Sequence, residues 1–429
     1  MRPGQCGQDR PGFKKEDETM KVRLPFAGAL LVAVGIASLG YSALAHAQGL
    51  TPEGIAKLDA ALDAAVHRGF VAGGVALVER HGEVVYENVF GKQSLETGVD
   101  MAPDTIFRIF SMTKPVTSVA VLILVDEGKL ALDDPAEQYL PELANPVVGV
   151  ERLPAERPAT VKDLLLHTAG LAYGLTGNDP VTRLYREGDV LRRDETLEEK
   201  VRRIGTLPLR HHPGTQWDYS IATDVLGRLV EVVSGQPLDA FFEERIFAPL
   251  GMVDTGFHVP EEKTDRFAEI YDMRFGGNLV PAESPAGYDF HNKPIFLSGG
   301  GGLVSTARDY LTFCRMLLNG GAYDGVRILE RETVDLMTRD HLGDLPISMI
   351  GHALGMGGAG FGLGVSVTKT AFYDTRGDVG EYNWGGAAST IFWVDPKQAL
   401  IGIYLVQIFP SNFTTGLQFK RLVYEALEK

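Results

Sequence analysis

Two side chains three residues apart, Ser111 and Lys114, carry the strongest chemical signal in the chain. A serine hydroxyl is almost wholly protonated at neutral pH and needs a neighbour to take its proton. An amine does this when burial or other cations disfavour its charged form. On a helix, positions three apart share a face, so Ser-x-x-Lys places both groups together. The bare pattern is weak, and it occurs twice here. Ser366-Val367-Thr368-Lys369 sits in an alternating run, Gly364 to Phe372, that predicts a strand. Residues three apart on a strand point to opposite faces, so that pair does not cooperate. Ser111-Met112-Thr113-Lys114 is followed by Pro115 and an apolar run to Val125, which predicts a helix buried all round. Proline is tolerated only in the first turn, which puts Ser111 at the helix N-terminus. There its own N–H is free to bind an oxyanion, and the helix dipole favours negative charge.

Two further segments supply partners for such a serine. Tyr219 lies in the loop Pro213 to Ser220, just before the helical pattern Asp224 to Val233. A loop at that point aims a side chain into a cleft, and a tyrosine near Lys114 is a candidate base. Trp384-Gly385-Gly386-Ala387 enters a β-strand. Small residues there let a ligand approach the backbone, and an edge N–H completes an oxyanion hole.

In this order and spacing the chain resembles the serine β-lactamase and penicillin-binding-protein superfamily, over nearly all of residues 50–428. Within it, the text is most similar to the class C-related family VIII carboxylesterases. The phrases that carry the likeness include Leu164-Leu165-Leu166-His167-Thr168-Ala169-Gly170-Leu171, Tyr219-Ser220, Pro249-Leu250-Gly251-Met252, Gly300-Gly301-Gly302-Leu303 and Trp384-Gly385-Gly386. The resemblance implies an α/β (α+β) fold: an antiparallel sheet flanked by helices, with a mostly helical lobe inserted. It implies an acyl-enzyme on Ser111, with Lys114 and Tyr219 sharing the acid and base work in a division left open. Trp384, Gly385 and Gly386 take the place of the Lys-Thr-Gly of the lactamases, and Ala387 N–H pairs with Ser111 N–H as the oxyanion hole. It implies a small-molecule ester substrate with a mainly short acyl group, and neither cofactor nor metal. The alternatives are a β-lactamase or D-amino-acid peptidase, and a catalytically silent binding or sensor relative. Two departures favour the ester. Ile221 stands where the lactamase Tyr-x-Asn motif has Asn, and Trp384 stands where the third motif has Lys.

The elements that must position these residues are legible in outline. Thr51-Pro52-Glu53 opens a helix with Ile55, Leu58, Leu62 and Val66 on one face, stopped by Gly69. Gly74–Arg80 and Glu83–Phe90 flank His81-Gly82 as a hairpin. The text from about 130 to 290 is helical pieces punctuated by Pro and Gly. Strands return from about Phe361, through Ser389–Val394 and Leu400–Gln407, before a last helix from about Gly416. That predicts an α/β lobe from about 50–130 and 295–429, with a helical lobe at about 131–294.

Composition narrows the setting. From Met20 a short basic start, an apolar run from about Phe26 to Leu44 and Ala45-His46-Ala47 have the layout of a secretory signal peptide, with residues 1–19 as an upstream extension. The expectation is export, to a bacterial periplasm, with cleavage after Ala47 and no membrane span afterwards; a membrane anchor is the competing reading. Cys6 falls in the leader, which leaves Cys314 alone, in a helical pattern that buries it. The formal net charge of −15, with no basic patch, argues against nucleic acid and anionic lipid. Oligomeric state is not encoded in any signal we recognise. Gly355-Met356-Gly357-Gly358-Ala359-Gly360 matches a dinucleotide motif but precedes a strand-like run, so it reads as a loop. The adjacent pair His211-His212 points its rings apart and does not read as a metal site.

Overall fold

Thr51 caps the first helix, accepting the Gly54 N–H at 3.1 Å, with Pro52 in the first turn. This helix, α1 (Pro52–His67), buries Leu58, Leu62 and Ala65, while Ile55 and Val66 of the predicted face lie half-buried at its edge. Then β1 (Gly73–Arg80) and β2 (Glu83–Gly91) form the expected hairpin. His81 and Gly82 both take positive φ, 54° and 84°, as a tight turn matched to strand twist requires. The computed structural model describes residues 49–428 apart from Thr176 and residues 275–277, 283–286, 349–357 and 371–376. The leader read from Met20 therefore lies outside the described residues, as do Gly355, Met356 and Gly357. No described helix is long and apolar enough to cross a membrane.

A short strand, β3 (Phe107–Arg108), pairs antiparallel with β4 (Val304–Ser305) and leads towards α2 (Thr113–Asp126). Twelve of the fourteen residues of α2, Thr113 to Leu124, are buried. It is thus the central helix that its apolar text predicts, and it packs against α4 (Ala222–Ser234). Between them in sequence, α3 (Leu197–Ile204) opens with a capping box from Thr196 to Glu199.

After α5 (Ala307–Leu318) come the strands β5 (Ala359–Phe361), β6 (Ser366–Thr368), β7 (Tyr382–Gly385), β8 (Ile391–Asp395) and β9 (Leu400–Val406), then α6 (Thr414–Ala426). They join the N-terminal hairpin in one seven-stranded sheet, ordered β5-β6-β7-β8-β9-β1-β2, with every pairing antiparallel. The architecture is the expected antiparallel sheet flanked by helices. β8 and β9 are buried along their whole length, so their text is a continuous apolar run rather than an alternation. One cluster of buried side chains lies on the α2 and α4 side of the sheet. A second joins α1 and α6 on the other. Cys314 is buried in α5, and burial pushes its thiol well above the usual range.

Candidate active site

Phe110 takes φ 40°, a left-handed conformation that a bulky residue holds only under restraint. It starts a single 3₁₀ turn, Phe110–Met112, and α2 begins only at Thr113. Ser111 therefore sits two residues before α2, in the turn that leads into its N-terminus. The segment is bonded outwards: Ile109 N–H donates to Leu303 O (3.1 Å), Leu303 N–H to Thr113 Oγ1 (3.1 Å) and Tyr310 OH to Met112 O (2.9 Å).

Ser111, Lys114 and Tyr219 converge. Lys114 Nζ lies 3.2 Å from Ser111 Oγ, and Tyr219 OH lies 2.8 Å from the same oxygen. An oxygen that accepts from two donors is stabilised in its deprotonated form, which is what a serine nucleophile needs. Lys114 is only 1% exposed, yet no carboxylate is within ion-pair distance among the described residues. Its Nζ donates instead to Gly300 O at 2.6 Å and lies 4.7 Å from the Tyr219 ring centroid and 5.5 Å from that of Tyr173. The amine is thus held by one carbonyl and two aromatic faces.

The Tyr219 ring is wedged between His167 (5.0 Å), Tyr173 (5.4 Å), Trp384 (5.5 Å) and Trp217 (6.2 Å). Its loop is bonded on both sides: Trp217 N–H to Pro346 O (2.9 Å), Asp218 N–H to His167 O (2.9 Å) and Ser348 N–H to Trp217 O (3.0 Å). His167 Nδ1 accepts the Ser220 N–H at 3.3 Å. Burial first, and the Lys114 charge second, hold the His167 imidazole well below its usual value, so it is neutral at pH 7. The sequence gives His167 only a structural role; its direct packing on Tyr219 emerges from the fold.

Gly386 brings the third segment in. A Cβ there would lie 2.2 Å from Ile109 O and 2.4 Å from Thr390 Oγ1, so only glycine permits this approach to the chain entering Ser111. The Gly386 N–H is used by Thr390 O (2.8 Å). Among the described residues neither Ser111 N–H nor Ala387 N–H has a partner. Trp384 is buried against Tyr219 and Phe361, and Gly385 precedes the turn. Ile221, at the position read as a departure, is buried in the core.

The rival pair does not form. β6 ends at Thr368, and Lys369 Nζ turns to Gly343 O (2.7 Å) and Asp340 (3.3 Å). The rings of His211 and His212 likewise go to different partners, His212 O and the Glu156 N–H.

One residue escapes the motif reading. Asp224, buried in the first turn of α4, accepts from Ser298 Oγ (2.7 Å) and Gly300 N–H (2.9 Å). It thereby fixes the carbonyl that holds Lys114. The available signal was a lone acid on the apolar face of a helix five residues after Tyr219. A cavity of about 380 Å³ is lined by Ile106, Phe247, Phe257 and Lys263 among others, and by none of Ser111, Lys114 and Tyr219.

With this geometry in place, the comparisons with known proteins become decisive. The beta-lactamase family model matches residues 58–424. The chain belongs to the beta-lactamase family. A protein of Mycobacterium tuberculosis, Rv1367c, is 40% identical over 356 residues, which cover 80% of this chain and 87% of that protein. Esterase EstB of Burkholderia gladioli is 35% identical over 358 residues, covering 79% and 87%. Among solved structures, EstCE1, described as a hydrolase with promiscuous acyltransferase activity, superposes with a TM-score of 0.74 at 28% identity, covering 87% of this chain and 99% of that one. This beta-lactamase-family member is therefore a serine hydrolase with esterase relatives, and its sheet-and-helix architecture is that of its structural neighbours.

Proposed function

We propose that the protein is a carboxylesterase that cleaves small, mainly short-acyl esters through an acyl-enzyme on Ser111. The observation that carries this reading is the double donation onto Ser111 Oγ by Lys114 Nζ and Tyr219 OH. Ser111 Oγ attacks the ester carbonyl carbon, and its proton passes to the deprotonated member of the Lys114–Tyr219 pair, a neutral amine or a phenolate, while the other member stays a donor. The developing oxyanion is held by Ser111 N–H and Ala387 N–H, with Gly385 and Gly386 keeping the backbone close. The alkoxide leaves with the proton returned from the pair, and the acyl group stays on Ser111. Water, giving its proton to the same pair, then attacks the acyl-enzyme, and the pair passes that proton to Ser111 Oγ as the acid is released. No step calls for a cofactor or metal. Buried Ile221 and Trp384, where the lactamase motifs carry Asn and Lys, favour an ester over a β-lactam. The names of EstB and EstCE1 support the same class.

The test is hydrolysis of 4-nitrophenyl butyrate by the chain from Gln48, beside nitrocefin and a D-Ala-D-Ala peptide. The ester is expected to turn over fastest, Ser111→Ala to abolish turnover, and a fluorophosphonate to label Ser111. Equal slow rates for wild type and Ser111→Ala on all three substrates would sink the proposal, and labelling at Ser366 would overturn the choice of nucleophile. Export to a periplasm belongs to the same reading, on the leader-like text from Met20. N-terminal sequencing of the exported protein is expected to begin at Gln48.

A further inference from the structure

Arg193 lies on the loop between the helix Pro180–Glu187 and α3. That loop is built to hold one shape. Lys200, buried in α3, donates to Val190 O (2.7 Å) and Arg192 O (2.6 Å), the carbonyl immediately before Arg193. Arg203 donates to Gly188 O (3.1 Å) and Asp189 O (2.7 Å) and pairs with Glu195. Two basic side chains of α3 are thus spent on fixing the backbone that leads into Arg193, and Arg203 also holds the Glu195 side chain just beyond it.

The Arg193 guanidinium lies over the Tyr288 ring, 3.2 Å from its centroid, and 5.2 Å from that of Phe296. Its Nε and Nη1 are shielded from water and have no hydrogen-bond partner among the described residues, and no carboxylate pairs with it. Stacking stabilises the faces of a guanidinium, and a hydrogen bond to Tyr288 uses part of its edge, which leaves Nε and Nη1 as the donors without an acceptor. Unmade hydrogen bonds on a desolvated cation are costly, so such an arrangement calls for an acceptor. The position ties it to the site. The Tyr288 hydroxyl lies 3.2 Å from where a Cβ of Gly301 would stand, and that point is 3.7 Å from the Phe110 carbonyl carbon. The Tyr288 and Phe110 rings are 5.7 Å apart. One aromatic ring and one glycine therefore separate Arg193 from the residue preceding Ser111.

We infer that Arg193 is a specificity-determining residue that receives a carboxylate carried by the ester substrate, away from the scissile bond. An unused N–H on a desolvated cation matches an anionic carboxylate oxygen. A single cation on a chain of net charge −15 suits a monoanion better than a phosphate dianion. The inference rests on the esterase reading and names its substrate class: an ester of a dicarboxylic acid, or of an alcohol that bears an acid.

The test compares matched esters in wild type and Arg193→Met. On the acyl side the pair is 4-nitrophenyl hydrogen adipate and 4-nitrophenyl hexanoate; on the alcohol side it is 4-carboxyphenyl butyrate and phenyl butyrate. In one arm the charged-to-uncharged ratio of kcat/KM is expected to fall by about 10- to 100-fold in Arg193→Met and to recover partly in Arg193→Lys. An unchanged ratio in both arms, with both esters of each pair falling together, overturns the inference while leaving the esterase intact. If wild type cleaves none of the four, the esterase reading fails instead. The inference is then judged by titrating monomethyl adipate into Ser111→Ala with and without Arg193→Met: at least tenfold weaker binding supports it, and equal binding overturns it.

Discussion

Asp224 does its work at one remove from Ser111. It accepts two hydrogen bonds that fix Gly300, and Gly300 O holds Lys114 Nζ. Asp224→Ala leaves two buried donors unpaired, at about 1–3 kcal/mol each. We expect kcat for 4-nitrophenyl butyrate to fall at least tenfold with a smaller change in KM, and Asp224→Asn, which keeps an acceptor oxygen, to recover part of it. His167 makes a pH prediction. Its folded value lies well below that of the unfolded chain, near 6.5, so the unfolded state binds the extra proton as pH falls. The stability from a neutral His167 is complete above about pH 6.5 and is lost as pH drops below it, at up to about 1.4 kcal/mol per pH unit. Burial lowers His211 and His341 in the same direction. Urea midpoints between pH 7 and pH 5 are expected to fall steeply in wild type and less steeply in His167→Gln. Ser111, Lys114 and Tyr219 were legible because each sits at a grammatical point, beside a proline or before a helix. Asp224 and His167 were not, because their value lies in partners 74 and 53 residues away, a distance that local patterns do not span.

At the scale of elements, the turn after β7 is the most tightly specified. Gly386 meets Ile109 O, the carbonyl that also accepts the Met112 N–H at 3.0 Å. Gly386→Ala must push that turn away from Ser111 and with it the Ala387 N–H. Loss of one oxyanion donor costs about 10²–10³-fold in kcat, and that is the expected loss for this variant, with a modest drop in melting temperature. A kcat within threefold of wild type would remove Ala387 from the oxyanion hole. The strands of this region were readable from their apolar runs, but of the run Gly364–Phe372 only Ser366–Thr368 is strand, its last two residues lie outside the described residues, and Lys369 parts from Ser366 because it lies past the strand's end. Pro115, the third residue of α2, marks its first turn as read. The 3₁₀ turn that precedes it, held by the outward bonds of residues 109–113 to Leu303 and Tyr310, is announced by nothing in the local text.

Across the whole molecule, the sheet takes two strands from the start of the described chain and five from its end. Two-ended construction follows from where strand-like text stops and resumes, while the antiparallel sheet was implied by the family resemblance. Strand order does not, because β9 beside β1 is a long-range pairing, from Gly74↔Val406 to Arg80↔Leu400. The same closure brings the described ends together. Leu50 bridges Leu427, Thr51 N–H donates to Ala426 O at 2.8 Å, and Glu428 N–H donates to Gly49 O at 3.1 Å. In topological terms residues 49–428 form a ring that is merely cut at this seam. A circular permutant joining residue 428 to residue 49 through a short glycine linker, and opened in the exposed His81-Gly82 turn, is expected to fold and to keep ester turnover within about tenfold. Its Ser111, Tyr219 and Gly386 would keep their order along a renumbered chain, and the helices α6 and α1 would become consecutive. Translation order would then place β1 last, so the strand that joins β9 to β2 would be the final piece laid down.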